Sequence, residues 1–160
     1  DSLPQTLMAD GYAEAIKILE GILAANERST FFFEIKFMLA EAKANINPPD
    51  WDGLEQDLYD VMMFATSPLM RNQASCLYAD AILKSNDPSK RNAALSNYQI
   101  VLLADPKIPE NRELIERALV GSAKLYSLAG EQEKVNEMVK RYKTLFSGGK
   151  YLAEISRLAN

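Results

Sequence analysis

The stretch ALSNYQIV, residues 94–101, decides the fold because its spacing recurs along the chain. Its anchors Ala94, Tyr98 and Val101 stand at positions i, i+4 and i+7, which share one face of a helix. Three other segments repeat this spacing: Ala15-Leu19-Ile22, Leu54-Leu58-Val61 and Val135-Val139-Tyr142. The four segments follow one another at intervals of 39, 40 and 41 residues. Unrelated amphipathic helices share the spacing but not the interval, so the sequence predicts a helical repeat.

Proline and glycine divide the chain into segments of helix length. Pro68 and Pro88 each follow a residue that can cap a helix, Ser67 and Asp87, and Asp50 can do the same further upstream. Between the breaks the apolar spacing is helical, and no long stretch alternates as a strand does. The sequence therefore predicts an all-α chain with helices at residues 12–25, 30–46, 51–65, 68–85, 88–104, 109–129, 131–146 and 150–158. Short connections imply antiparallel neighbours.

Several of these segments resemble the tetratricopeptide repeat, a family of helix-turn-helix units. Residues 11–16, GYAEAI, are similar to the start of the second helix of such a unit, and residues 94–106 are similar to its end, including the terminal Pro106. The resemblance implies a right-handed solenoid of about three and a half repeats of about 40 residues. This unit is longer than the roughly 34 residues usual in the family, which leaves a related helix-pair solenoid open. An irregular helical bundle is the other alternative.

On this interpretation residues 1–160 form one domain made of consecutive parts. A partial first repeat covers residues 1–26, since residues 1–9 are too short for a full first helix. Complete repeats cover about residues 29–66, 68–106 and 109–146, and their first helices carry small residues at matching places, Ala40, Ala79 and Ala123. A last helix, residues 150–158, has a single apolar stripe and is expected to cap the array.

Composition excludes several kinds of site. The chain has no histidine, and Cys76 is its only cysteine, so a Ser-His-Asp triad, a Cys-His dyad, a histidine-ligated metal and an intrachain disulfide are ruled out. Asp57 and Asp60 are expected on solvated faces, and Cys76 as a small buried residue. Residues 147–150, SGGK, lack the spacing of a phosphate loop and predict a helix break. We expect a protein that is not an enzyme and that uses no cofactor or metal.

Charge and hydropathy indicate which partners and which cellular locations are compatible with the chain. A net charge of −4 provides no overall positive field, so nucleic acid is not an expected partner. No apolar run approaches the roughly 18 residues needed to span a membrane, and direct insertion is not expected. The start, residues 1–4, lacks an initiator Met and a signal layout, which favours a mature end or an excised domain. A single thiol leaves both the cytoplasm and the bacterial periplasm open.

The resemblance also implies a concave groove, lined by the first helix of each pair, that receives a protein or peptide partner. By that resemblance the partner-binding residues are Glu34, Phe37, Glu41, Asn45, Gln73, Asp80, Lys84, Arg117 and Lys124. A groove that is acidic in the middle and cationic at one end favours a partner of mixed charge. The alternative function is a structural or oligomerising module of an envelope-anchored protein, in which these surfaces bind further copies of the chain.

The aromatic run at residues 31–33, with Phe37 close by, is the least ordinary local feature. Adjacent positions on a helix point about 100° apart, so three consecutive rings cannot all face one core. At least one ring is expected to be partly exposed or packed on a neighbouring unit. Core packing and contact with a partner both remain open for this run.

Overall fold

A computed structural model gives the structure of residues 5–26 and 29–159, with side chains from residue 10 onward. These residues form eight α-helices, one short 3-10 turn and no strand. The helices are α1 (Gln5–Ala25), α2 (Phe32–Asn45), α3 (Trp51–Phe64), α4 (Pro68–Ser85), α5 (Arg91–Leu102), α6 (Pro109–Leu128), α7 (Gln132–Leu145) and α8 (Leu152–Ser156). The 3-10 turn, Pro88–Lys90, leads directly into α5. The all-α prediction is confirmed for the described residues.

The main departure from the predicted helices is the start of α1. This helix begins at Gln5 and runs through Gly11, whereas the sequence pattern placed its start at residue 12. A glycine inside a helix costs only about 1 kcal/mol relative to alanine, which the surrounding helix formers offset. Residues 5–9 thus extend α1 and form no separate first helix of a pair. Residues 1–4 lie outside the described part of the chain.

The predicted starts of α3 and α4 are confirmed by capping hydrogen bonds. The main-chain N–H of Met70 donates to Oγ of Ser67 (3.3 Å), and that of Gly53 donates to Oδ1 of Asp50 (3.0 Å). Asp87 accepts an N–H of the 3-10 turn at 2.9 Å, so it caps this turn instead of α5 itself. Each cap satisfies a helical N–H that would otherwise lack a partner.

The carboxyl ends of α4 and α6 use residues in the left-handed conformation. Gly130 follows α6 with φ +74°, and Asn86 follows α4 with φ 55°. At the end of α6 the N–H of Glu131 donates to the carbonyl of Tyr126 (2.9 Å), and that of Gly130 donates to the carbonyl of Ser127 (3.1 Å). These two bonds form a Schellman motif, which stops the helix and turns the chain.

The chain divides into two compact units, residues 1–74 (unit 1) and 75–160 (unit 2). Within unit 1, α1 packs on α2 and α2 packs on α3. Within unit 2, α5 packs on α6, α6 packs on α7, and α8 contacts both α6 and α7. The division falls inside α4, whose residues belong partly to each unit. The helices thus pack mainly in pairs that are adjacent in sequence.

Most of the aligned anchor residues lie in the core, as their spacing predicts. In α3, α5 and α7 all nine are at most 3% exposed: Leu54, Leu58, Val61, Ala94, Tyr98, Val101, Val135, Val139 and Tyr142. The predicted small residues Ala40, Ala79 and Ala123 are fully buried. α1 departs from this pattern, because Leu19 is buried whereas Ile22 is 44% exposed. The assignment of Ile22 to the core stripe is therefore wrong.

Arginines bind the carboxyl ends of several helices. In each case a guanidinium donates to a carbonyl in the last turn or at the C-cap of another helix: Arg71 to Ala65 (2.6 Å), Arg141 to Leu102 (2.9 Å), Arg112 to Leu145 (3.4 Å) and Arg91 to Leu128 (3.5 Å). A cation at this end also interacts favourably with the helix dipole. These four arginines therefore have a structural role inside their own units.

The predicted apolar stripe of the last helix is confirmed, although α8 is shorter than residues 150–158. Ile155 is fully buried and Leu152 is half-buried, whereas Glu154 is exposed. The helix thus covers α6 and α7 with one face and presents a polar face outward. None of the described helices combines the length and the low polarity that crossing a membrane requires.

Candidate partner-binding site

α2 carries a line of exposed residues on the side away from the core of unit 1. The core side holds Ile35, Leu39 and Ala42. The exposed line starts at the residue before the helix and follows a spacing of three and four residues. We call it the α2 surface: Phe31, Glu34, Met38, Glu41 and Asn45. Phe31 is 65% exposed and Met38 is 51% exposed, so the surface combines large apolar groups with carboxylates.

Three of the residues predicted to bind a partner lie on the α2 surface: Glu34, Glu41 and Asn45. Asn45 donates from Nδ2 to the main-chain carbonyl of Glu41 at 2.7 Å. Phe37 is half-buried at the edge of this surface, and Gln73 is half-buried in the part of α4 that belongs to unit 1. Sequence reasoning missed Met38, although it stands four residues after Glu34 on the same line.

The aromatic rings of residues 31–33 differ in exposure, as expected for adjacent positions on a helix. Phe31 is exposed, whereas Phe32, Phe33 and Phe37 are half-buried. The rings of Phe32 and Phe33 meet edge to face with centroids 5.3 Å apart, a favoured arrangement for aromatic pairs. The ammonium of Lys36 lies 5.8 Å from the centre of the Phe32 ring. The prediction that at least one ring of the run is exposed is confirmed.

In unit 2 two of the predicted binding residues bind each other. Arg117 of α6 donates from Nε (3.2 Å) and from Nη2 to Oδ2 of Asp80 on α4. The other carboxylate oxygen accepts a hydrogen bond from the hydroxyl of Tyr98 on α5 at 2.5 Å. Burial is the main cause of the raised pKa of Tyr98, and the charge of Asp80 is the second. Both oxygens of Asp80 are therefore occupied, and the cluster links three helices.

Two small residues, Gly121 and Cys76, adjoin this cluster. A Cβ at Gly121 would overlap the ring of Tyr98, so glycine permits the close approach of α6 to that ring. Cys76 is fully buried, and burial, followed by the charge of Asp80, raises the pKa of its thiol to about 12. The thiol is thus protonated near neutral pH and a poor nucleophile. The prediction of a small buried residue at Cys76 is confirmed.

The remaining predicted cations of unit 2 differ in their surroundings. Nζ of Lys124 lies 2.6 Å from Oε1 of Glu154 on α8, and both side chains are partly exposed. Lys84 is exposed near the carboxyl end of α4, where a cation interacts favourably with the helix dipole. Lys124 therefore links α6 to α8, whereas Lys84 presents its charge to solvent.

The expectation that Asp57 lies on a solvated face is wrong. Asp57 of α3 is only 4% exposed and accepts hydrogen bonds from two lysines of α2, Lys36 (2.8 Å) and Lys43 (2.6 Å). Lys36 also lies 3.3 Å from the half-buried Asp60. Burial disfavours the ammonium form of Lys36, but the hydrogen bonds and charges of Asp57 and Asp60 outweigh it and raise its pKa. The two lysines stand seven residues apart on one face of α2, so both can reach the same carboxylate.

The described residues of unit 2 form several open clefts, two of which adjoin α6. One, of about 500 Å³, lies between α5, α6 and α7 and is lined by Gln99, Leu102, Leu103, Ser122, Tyr126, Lys134, Glu137, Met138 and Arg141. The other, of about 520 Å³, lies between the start of α6 and residues 145–150. Lys150 of that cleft pairs with Glu113 at 3.1 Å. Within residues 5–26 and 29–159 no group of three or more His, Cys, Asp or Glu residues is placed to hold a metal ion.

Comparisons of the chain with family models, with curated proteins and with solved structures found no match. The assignment of a function therefore rests on the surfaces and clusters described above.

Proposed function

We propose that this chain is a non-enzymatic interaction module, a right-handed solenoid of tetratricopeptide-like helix pairs that binds a protein or peptide partner. Two observations support the repeat. The aligned anchors of α3, α5 and α7 are all buried, and the matching alanines of the first helices, Ala40, Ala79 and Ala123, are fully buried. Equivalent positions with equivalent burial are what stacking copies of one helix pair requires.

The α2 surface is the observation that carries partner binding. Its two large apolar groups, Phe31 and Met38, are more than half exposed, and Glu34 and Glu41 stand between and beside them. Such a surface favours a segment with apolar anchors and cationic side chains, because binding energy comes from a few buried anchors and charge selects the partner.

The cluster of Asp80, Tyr98 and Arg117 has a structural role in this proposal. A partner that used Asp80 or Arg117 would first have to break their mutual hydrogen bonds, which are charge-assisted and therefore strong. We therefore assign the primary contacts to the α2 surface. Lys84 is the predicted cation of unit 2 that is exposed enough to contribute to binding without such a loss.

A charge-reversal pair tests the proposal. The chain is immobilised, incubated with an extract of the cells that produce it, and the retained proteins are identified by mass spectrometry. The test variant is Glu34→Lys with Glu41→Lys, and its matched control is Glu133→Lys with Glu137→Lys, two exposed carboxylates of α7. We expect the wild type and the control to retain the same partner in similar amounts. The α2 variant is expected to retain about tenfold less of that partner, or none.

Circular dichroism and thermal melting establish that both variants keep the fold. Equal retention of the partner by the two variants would refute the assignment to the α2 surface. Retention of no protein by the wild type would refute the interaction module itself.

A further inference from the structure

α1 has two apolar faces, and unit 1 uses one of them. Ile16, Leu19 and Leu23 pack against Ile35 and Leu39 of α2. The second face is turned by roughly one residue around the helix, and Ile18 (57%) and Ile22 (44%) are its large exposed residues. We call this second face the α1 outer face: Gly11, Ala15, Ile18, Ile22 and Ala25. Apart from the half-buried Ala15, its residues are exposed.

The α1 outer face has the spacing of a helix-pairing seam. Its residues follow one another at intervals of four, three, four and three, the pattern that keeps one line of residues in contact with a second helix. Packing within the described part of unit 1 does not require a glycine at position 11, because a Cβ added at Gly11 would meet nothing within 4 Å. We propose that a second copy of this chain packs on the α1 outer face and forms an antiparallel pair of α1 helices.

Two copies of the α1 outer face complement each other in shape when the two helices run antiparallel. One register sets Ile18 against Ala15 of the second copy and Ile22 against Gly11 of the second copy, so each of these layers joins a large residue to a small one. A parallel pair would instead set Ile18 against Ile18 and Gly11 against Gly11. An isoleucine opposite a small residue fills the space between two helices evenly. Isoleucine opposite isoleucine would crowd that space, and glycine opposite glycine would leave a gap.

Charges at the edge of the face agree with this direction. Glu14 and Lys17 lie together on one flank of α1, 3.5 Å apart and largely exposed. Antiparallel packing brings Glu14 of one copy toward Lys17 of the other, so that charges of opposite sign meet across the twofold axis. A single helix pair buries less than the roughly 1,200 Å² of a standard interface, and we therefore expect a weak dimer that depends on concentration.

Sedimentation equilibrium over a wide range of protein concentration tests the dimer. The test variant is Ile18→Glu, and the matched control is Ile100→Glu, which changes an isoleucine of similar exposure on α5 (49%). We expect the wild type and the control to dimerise alike, and Ile18→Glu to weaken dimerisation by about tenfold or more. A wild type that stays monomeric at every concentration, or equal weakening by both variants, would overturn the proposal.

Cysteine crosslinking tests the direction and the register. Cys76 is fully buried and is replaced by alanine in the background chain. In that background we expect Ala15→Cys with Ile18→Cys to form covalent dimers under mild oxidation, and Ile18→Cys alone to form about tenfold fewer, since only the pair places two thiols opposite each other. Equally efficient dimers of Ile18→Cys alone would indicate a parallel pair and overturn the antiparallel arrangement.

Discussion

Buried tyrosines tie the helices of unit 2 together at the scale of single residues. Tyr98 of α5 donates its hydroxyl to Asp80 of α4, and Tyr142 of α7 donates its hydroxyl to Glu116 of α6. The hydroxyl of Tyr142 also accepts the main-chain N–H of Tyr151 at 2.9 Å. In both cases a residue on the second helix of a pair bonds a carboxylate on the first, so the same kind of contact holds both pairs.

A glycine lies close to each of these two tyrosine side chains. A Cβ at Gly121 would overlap Tyr98, and a Cβ at Gly149 would overlap both the hydroxyl of Tyr142 and the carboxylate of Glu116. The two glycines therefore provide space for the ring and for its hydrogen bond. Neither signal is visible in the sequence, because Gly149 reads there as a helix break and Gly121 as one more small residue of α6.

At this scale the account predicts a loss of stability in alkaline solution. The pKa is raised to about 12 for both Cys76 and Tyr142, and is also raised for Tyr98, in each case first by burial. The folded chain thus keeps protons that the unfolded chain releases from pH 9–10 upward. The free energy of unfolding is nearly unaffected by these groups below about pH 8 and falls above it, by up to about 1.4 kcal/mol per pH unit for each group.

Urea unfolding midpoints between pH 7 and pH 11 measure this dependence. Cys76→Ala removes one of the groups and is expected to flatten the decline above pH 9, because one proton fewer is lost on unfolding. A midpoint that stays constant or rises between pH 9 and pH 11 would contradict the assignment of these groups as protonated in the folded chain.

At the scale of elements, the positions of the helices could be predicted because their signals are local. Ser67 and Asp50 cap the helices that follow them, and Gly130 ends α6, each within a few residues of the contact it makes. The orientation of a helix about its axis was harder to predict. Ile22 and Leu23 are adjacent apolar residues, and only the contact of α1 with α2 decides that Leu23 faces inward and Ile22 outward.

Less of the candidate site than of the helix positions could be predicted from the sequence. Glu34, Glu41 and Asn45, which the resemblance assigned to the groove, are exposed, whereas Phe37, assigned with them, is half-buried. The pairing of Asp80 with Arg117 joins residues 37 positions apart on different helices, and the burial of Asp57 depends on lysines of the neighbouring helix. Such contacts follow from the packing of elements, which spacing within one element does not specify.

The contact between α2 and α3 gives a prediction at this scale. Asp57→Asn removes the charge that Lys36 and Lys43 share, and leaves two ammonium groups facing a neutral amide. Those side chains keep 17% and 12% exposure, so some hydration relieves them. We expect the free energy of unfolding to fall by about 2–4 kcal/mol, near the lower end for a broken buried pair.

Guanidinium unfolding of the variant at neutral pH measures this loss. The control is Asp60→Asn, whose carboxylate lies 3.3 Å from Lys36 but is 32% exposed, and it is expected to cost less than about 1 kcal/mol. An equal effect of the two substitutions, or no effect of either, would show that the buried carboxylate does not hold α2 on α3.

Across the molecule, five arginines make contacts inside the units, whereas several large apolar side chains are exposed. Arg71, Arg91, Arg112 and Arg141 bind helix ends, and Arg117 binds Asp80. Exposed apolar side chains remain on the α1 outer face and on the α2 surface. These two exposed lines are the surfaces that the proposed partner and the proposed second copy would cover.

A crystal structure of the whole chain would establish whether one helix pair is repeated along it. If the proposed repeat is correct, we expect α2–α3, α4–α5 and α6–α7 to superpose on one another, with one right-handed rotation relating the first pair to the second and the second to the third. Helix pairs that cross around a single centre, with no rotation common to consecutive pairs, would contradict it.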